Sequence, residues 1–111
     1  MGQKRDWLLG NIGPLLLVPL VEQPMYGYQI IRELEKRSHG YFKFKEGTLY
    51  PVLHRLEEEG LIKGQWQTLA SGRQRKYYHI TNKGRSVLVE RRNQWREFLN
   101  AIDLVVQPSQ A

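Results

Sequence analysis

Lys45-Glu46-Gly47-Thr48-Leu49-Tyr50-Pro51-Val52-Leu53-His54-Arg55-Leu56-Glu57-Glu58-Glu59-Gly60 is the stretch on which the fold turns. Its apolar residues recur as Leu49, Val52, Leu53 and Leu56, the spacing of one face of a helix. Gly60 supplies the stop signal. At about 100° per residue, Gly47, Thr48, Pro51, His54 and Arg55 point away from the leucine stripe, with Tyr50 on its flank. Hydroxyl, imidazole, guanidinium and phenol groups on a water-facing surface are suited to touching a polar partner.

Upstream, Tyr26-Gly27-Tyr28-Gln29-Ile30-Ile31-Arg32-Glu33-Leu34-Glu35-Lys36-Arg37 places Tyr28, Ile31 and Leu34, joined by Ile30, on one helical stripe. Ser38-His39-Gly40 ends that helix. Tyr41-Phe42-Lys43-Phe44-Lys45 alternates aromatic and basic residues, as a short extended segment does. Two helices joined by a turn region, the second with a polar outer face, make a helix-turn-helix plan. An earlier helix begins near Pro14 and ends before Pro24. Pro19 lies inside its apolar run and removes a donor, so this helix either kinks there or begins around Asp6 and breaks.

Downstream the period changes to two. Residues 61–68 read as one strand and residues 76–80 as its partner, with Ala70-Ser71-Gly72 turning the corner. Arg73, Arg75 and Lys76 crowd the tip and the returning strand. Thr81 is suited to cap a final helix running to about Val106, and Pro108 and the polar residues after it are expected to fray. The second half of that helix carries Trp95, Phe98, Leu99, Ile102, Val105 and Val106, a seam with steps of seven residues and nothing within the chain to bury it. A second subunit is the natural cover. The expected fold is α+β: a winged helix-turn-helix of three helices and a two-stranded β-hairpin wing over residues 1–82. A long C-terminal dimerisation helix with its tail occupies residues 83–111.

The chain has 111 residues, 17 Lys+Arg against 11 Asp+Glu, a formal charge of +6 and no cysteine. A basic balance is the electrostatic footprint of a nucleic-acid binder, because counterions released from phosphates drive association. Acidic proteins and membrane surfaces attract such domains too. Without thiols there is neither a disulfide scaffold nor thiolate metal chemistry. The apolar run of residues 8–21 is short of the ~20 residues that a bilayer demands. It has no small-residue cleavage site either, and a soluble cytoplasmic protein is expected. His39, His54 and His79 lack metal-ligand spacing. No nucleophile–base pair or phosphate-cradling glycine loop is visible, so no enzyme, cofactor or metal is expected.

Each candidate contact has a plain structural alternative. Tyr50 and Thr48 stand where side chains reach phosphates or base edges; Tyr50 otherwise packs on the helix flank, and Thr48 otherwise caps locally. Pro51 is a conformational device of the first turn, though its ring faces outward. Arg55 reaches a phosphate or guanine, or else pairs with Glu58 or Glu59; His54 is a weaker candidate. Lys43 and Lys45 clamp phosphate or remain solvated. Arg73, Arg75 and Lys76 suit a narrow groove, and with no balancing acid in view they exceed what edge protection needs. Glu57-Glu58-Glu59 would repel DNA, so the helix should enter by its N-terminal end. Trp95 is either interface core or a platform for ligand stacking. Trp7 either joins it from the other subunit or packs on its own helix, and Trp66 packs in the wing.

Tyr26-Gly27-Tyr28-Gln29-Ile30, the Glu46–Leu56 stretch, Gly60-Leu61-Ile62 and Arg73-Gln74-Arg75-Lys76-Tyr77-Tyr78 closely resemble the PadR family of bacterial transcriptional regulators, over roughly residues 8–82. The single terminal helix with Trp95 resembles the small subfamily. Pro19 departs from the family's first helix. The resemblance implies a homodimer bound to double-stranded DNA at an imperfectly palindromic operator, usually as a repressor, in a bacterial or archaeal cytoplasm and associated with the nucleoid. It also implies that a flat aromatic or cationic effector can bind at the dimer interface, with Trp95 as stacking surface. Two rivals remain: a winged-helix protein-interaction module, and a drug-binding dimer without a specific operator.

Overall fold

The structure is a computed structural model that describes residues 3–108, with side chains from residue 10 onward. The tail beyond Pro108, expected to fray, lies outside the described residues. Along the chain the elements are α1 (Gln3–Leu20), β1 (Met25–Tyr26), α2 (Gly27–Arg37), α3 (Glu46–Glu58), β2 (Ile62–Thr68), β3 (Gln74–Ile80) and α4 (Asn82–Val106). The strands form one antiparallel sheet in the order β1-β3-β2. The expected two-stranded wing thus gains a third strand at its base, where Met25 and Tyr26 pair with Tyr78 and Tyr77. Two residues are too few to leave an alternation in sequence.

The core is built where the stripes meet. Leu16 and Leu17 of α1, Ile30 of α2, and Leu49 and Leu53 of α3 have no exposed surface, and Leu56, Ile62 and Tyr78 are nearly as deep. A fully buried leucine contributes ~2 kcal/mol, more than one exposed polar contact. The register of α3 is therefore set from inside, and its outer face is left to other uses. In α2 the buried stripe is Gly27, Ile30, Ile31 and Leu34. Tyr28, expected on that stripe, is instead 49% exposed.

The first helix spans Gln3–Leu20 and does not begin near Pro14; it contains both Pro14 and Pro19. Pro14 has no N–H for the carbonyl of Gly10, four residues back. The Arg91 guanidinium of α4 lies 3.5 Å from that oxygen. A tertiary donor thus stands near the group that the proline orphans. Residues 41–45 pair with no strand; Phe42 and Phe44 stack with ring centroids 5.8 Å apart.

The stop of α3 is a Schellman arrangement. Gly60, at φ 78, donates to the Glu57 carbonyl at 3.0 Å, and Leu61 donates to the Leu56 carbonyl at 2.9 Å. Thr81 starts α4 as expected, accepting from the Gly84 N–H at 3.0 Å. The 25 residues of α4 carry it well past the core, and the molecule measures 67 × 30 × 27 Å.

Candidate nucleic-acid interface

The outer face of α3 is as the helical spacing predicts. Gly47, Thr48, Pro51, His54 and Arg55 are all exposed, opposite the buried Leu49, Leu53 and Leu56. Lys43 and Lys45 are exposed just before it, with Lys45 in extended backbone at the N-cap and making no side-chain cap. Among the described residues the side chains of Thr48 and Arg55 have no hydrogen-bond or ion-pair partner. The pairing weighed for Arg55 falls instead to His54, whose imidazole lies 3.7 Å from the Glu58 carboxylate on the open surface. Pro51 is a correction. It sits inside the helix rather than in its first turn, so the Gly47 carbonyl lacks its helical donor.

Tyr50 packs on the helix flank and still keeps an open side. It is 43% exposed, and its ring lies against the start of α2, where a Cβ on Gly27 would come within 2.6 Å of the phenol oxygen. Burial, with the nearby Glu46 carboxylate, pushes the phenol above its ordinary pKa. The group is a neutral O–H donor at neutral pH, as an ordinary phenol is.

In the wing, the Gly72 N–H donates to the Leu69 carbonyl at 2.9 Å, with Gly72 at φ 89, which closes the tip. Arg73 is exposed there. Arg75 lies on the sheet with its guanidinium carbon 3.9 Å above the Tyr26 ring, a cation–π contact. Lys76 is not an unbalanced cation, contrary to expectation. Its ammonium donates to the Glu57 carboxylate at 2.9 Å. The balancing acid comes from α3, out of sight of a local reading of the hairpin. Trp66, expected to pack within the wing, is 63% exposed.

Gly47, Thr48, Pro51 and Arg55 line a cleft with Phe44 and with Arg91 of α4. A second cleft, between the start of α3 and the wing, is lined by Tyr28, Glu46, Tyr50, Trp66, Arg73, Arg75 and Lys76. Tyr28 and Trp66 were missed as members of it. The signal available for Tyr28 was its place beside the helix-opening Gly27, one step off the deep stripe. Arg32 adds a cation 5.8 Å from the Tyr28 ring.

Trp95 stands apart from this cleft. It is half-buried, and its indole N–H donates to the Asn11 side-chain oxygen of α1 at 2.7 Å. The side chain of Trp7 lies outside the described residues. Beyond Trp95 the seam is bare. Phe98, Leu99, Ile102, Val105 and Val106 are exposed, and four of them with Ala101 line a shallow apolar groove. Among the described residues no cluster of His, Cys, Asp or Glu is placed to hold a metal ion. No described helix is long and apolar enough to cross a membrane.

Comparison with known proteins agrees with this geometry. The profile of the transcriptional regulator PadR-like family matches residues 16–90. A transcriptional regulator of Mycobacterium tuberculosis is 37% identical over 81 residues, 73% of this chain and 72% of that protein. A PadR-like transcription factor of Bacteroides fragilis superposes with a TM-score of 0.81 at 30% identity, over 96% of this chain and 100% of that one. A PadR-like transcriptional regulator of Bacillus cereus gives a TM-score of 0.79 at 33% identity, over 94% and 99%.

Proposed function

The chain belongs to the PadR-like family of transcriptional regulators, and from that premise we propose that it acts as a homodimeric repressor whose hold on its operator is relieved by a small molecule. It is a DNA-binding regulator and not an enzyme. In the proposed arrangement the exposed face of α3 enters the major groove by its N-terminal end. Thr48, Pro51, His54 and Arg55 then meet base edges or phosphates, while Tyr50, Lys43 and Lys45 hold the backbone. Arg73 and Arg75 follow the adjacent groove. Two copies related by a two-fold axis would read half-sites about one helical turn apart.

The observation that carries this reading is the polar outer face of α3 set over a buried leucine stripe, with the basic wing at the start of that helix. Gly47, Thr48, Pro51, His54 and Arg55 point outward while Leu49, Leu53 and Leu56 are sunk in the core, and Arg73 and Arg75 share a cleft with Glu46 and Tyr50 at the start of α3. The effector is assigned to the neighbourhood of Trp95, an aromatic surface tied to α1 at the root of the bare seam. A flat aromatic or cationic molecule there would shift the population between dimer geometries and so move the two α3 helices apart or together.

The test is duplex binding by fluorescence anisotropy across a salt series, comparing the DNA upstream of the protein's own gene with random sequence. A steep loss of affinity with salt and a preference for the upstream duplex are expected. Replacing Arg73 and Arg75 by Ala should weaken binding and reduce the log–log salt slope by about one for each phosphate no longer neutralised. Binding untouched by that double substitution would remove the wing from the interface.

A further inference from the structure

Glu57, the first of three consecutive glutamates, is turned in against the wing, while Glu58 and Glu59 face solvent. Its two oxygens have separate partners. One accepts the Gly64 N–H at 3.1 Å and the other the Lys76 ammonium at 2.9 Å. Gly64 belongs to β2, at the edge of the sheet, and Lys76 to β3. One carboxylate of α3 therefore ties down both strands of the wing. The seat is tight, since a Cβ on Gly64 would lie 2.1 Å from Cε of Lys76 and 3.0 Å from the Glu57 carboxylate. Lys76 crosses over that glycine with its ammonium 5.5 Å from the Tyr78 ring and 5.9 Å from the Trp66 ring. Arg73 and Arg75 lie beyond this tie, toward the tip, where a small rotation of the hairpin becomes a large displacement.

We propose that Glu57 and Lys76 are positioning residues for DNA binding, their pairing fixing the angle between α3 and the wing, and that Lys76 is held there instead of contacting phosphate. The proposal rests on the reading of α3 and the wing as the DNA-binding surface. It makes a prediction of opposite sign to simple electrostatics. Removing an acid beside DNA should tighten binding if charge alone matters. Removing Glu57 loosens it if the clasp matters.

The experiment measures affinity for the preferred duplex across a salt series for Glu57→Ala, Lys76→Ala, the double variant and Gly64→Ala. Amide hydrogen exchange at Gly64 is followed in parallel on the free wild-type, Glu57→Ala and Lys76→Ala proteins. Each single variant is expected to bind up to about fivefold more weakly, the range of one well-placed ion pair. The double variant should be no weaker than either single one, and the salt slope should stay at the wild-type value. Gly64→Ala keeps both charges but displaces the lysine, and should fall with the others. Exchange at Gly64 should accelerate in both charge variants. Should Glu57→Ala fail to fold, Glu57→Gln carries the same readouts, with a milder loss because its amide oxygen can keep one donor. Tighter binding by Glu57→Ala, a slope lowered by about one in Lys76→Ala, or unchanged exchange at Gly64 would each overturn the proposal. A wild-type protein with no salt-sensitive, selective duplex binding would defeat the DNA-binding reading instead, since Gly64 exchange reports the clasp without DNA.

Discussion

The Glu57 carboxyl ionises more readily than an ordinary glutamate, chiefly because the Lys76 ammonium donates to it; partial burial opposes this, and the Gly64 N–H and the charge of His54 assist. Lys76 is shifted upward for the reciprocal reason, its hydrogen bond to Glu57. The signs fix the pH windows. A carboxyl depressed in the folded state contributes stability above the ordinary glutamate range near pH ~4.3, and this is lost as pH falls through the folded value. The raised lysine loses its contribution only in strongly alkaline solution. The clasp is thus fully formed at neutral pH and is not a physiological switch. Urea midpoints measured downward from pH 7 should fall more steeply in the wild type than in Glu57→Gln once the solution is more acidic than about pH 4.3. Parallel curves would show that the ion pair adds nothing to stability. At Tyr50 the upward shift, from burial and the Glu46 carboxylate, acts on a phenol that is already a neutral donor at neutral pH, suited to a phosphate oxygen or a base acceptor.

Among the elements, α4 gives the sharpest test, because its start has several hydrogen bonds on one hydroxyl. Thr81 accepts from Gly84 and lies 2.7 Å from the Gly60 carbonyl and 3.1 Å from that of Leu61. The cap of α4 is thereby joined to the stop of α3. Thr81→Ala should cost about 1 kcal/mol or somewhat more by chemical denaturation, the usual worth of an N-cap; an unchanged midpoint would mean that the cap is dispensable. The elements legible in the sequence are those whose causes are local. The leucine period and Gly60 define α3, Gly72 closes the hairpin, and Thr81 opens α4. The exposed groups of α3 followed from the same period, so that half of the candidate site was readable. The remainder depends on contacts distant along the chain. Pro14 is tolerated inside α1 with Arg91 placed near the orphaned Gly10 carbonyl. Strand β1 exists only because β3 passes beside it. The partner of Lys76 lies 19 residues away on another element, and no inspection of the hairpin alone would find it.

At the scale of the molecule, the feature to be explained is the apolar stripe that α4 carries beyond the basic domain. A projecting helix that exposes Phe98, Leu99, Val105 and Val106 to water is unfavourable for an isolated chain. A second copy packed along the same stripe, as proposed, would remove the cost. Phe98→Glu with Ile102→Glu should leave the domain folded and give a monomer by sedimentation; a wild-type monomer at the same concentration would refute the proposed dimer. Duplication in turn would place two copies of the α3 face on one side of the assembly, and the formal charge of +6 per chain would favour their approach to DNA. The most direct test is a footprint on the DNA upstream of the protein's own gene, made with the wild type and with Arg55→Ala. Two protected patches about one helical turn apart are predicted, both lost or strongly weakened in the variant. Protection that survives unchanged when Arg55 is removed, or a single unpaired patch, would contradict the account.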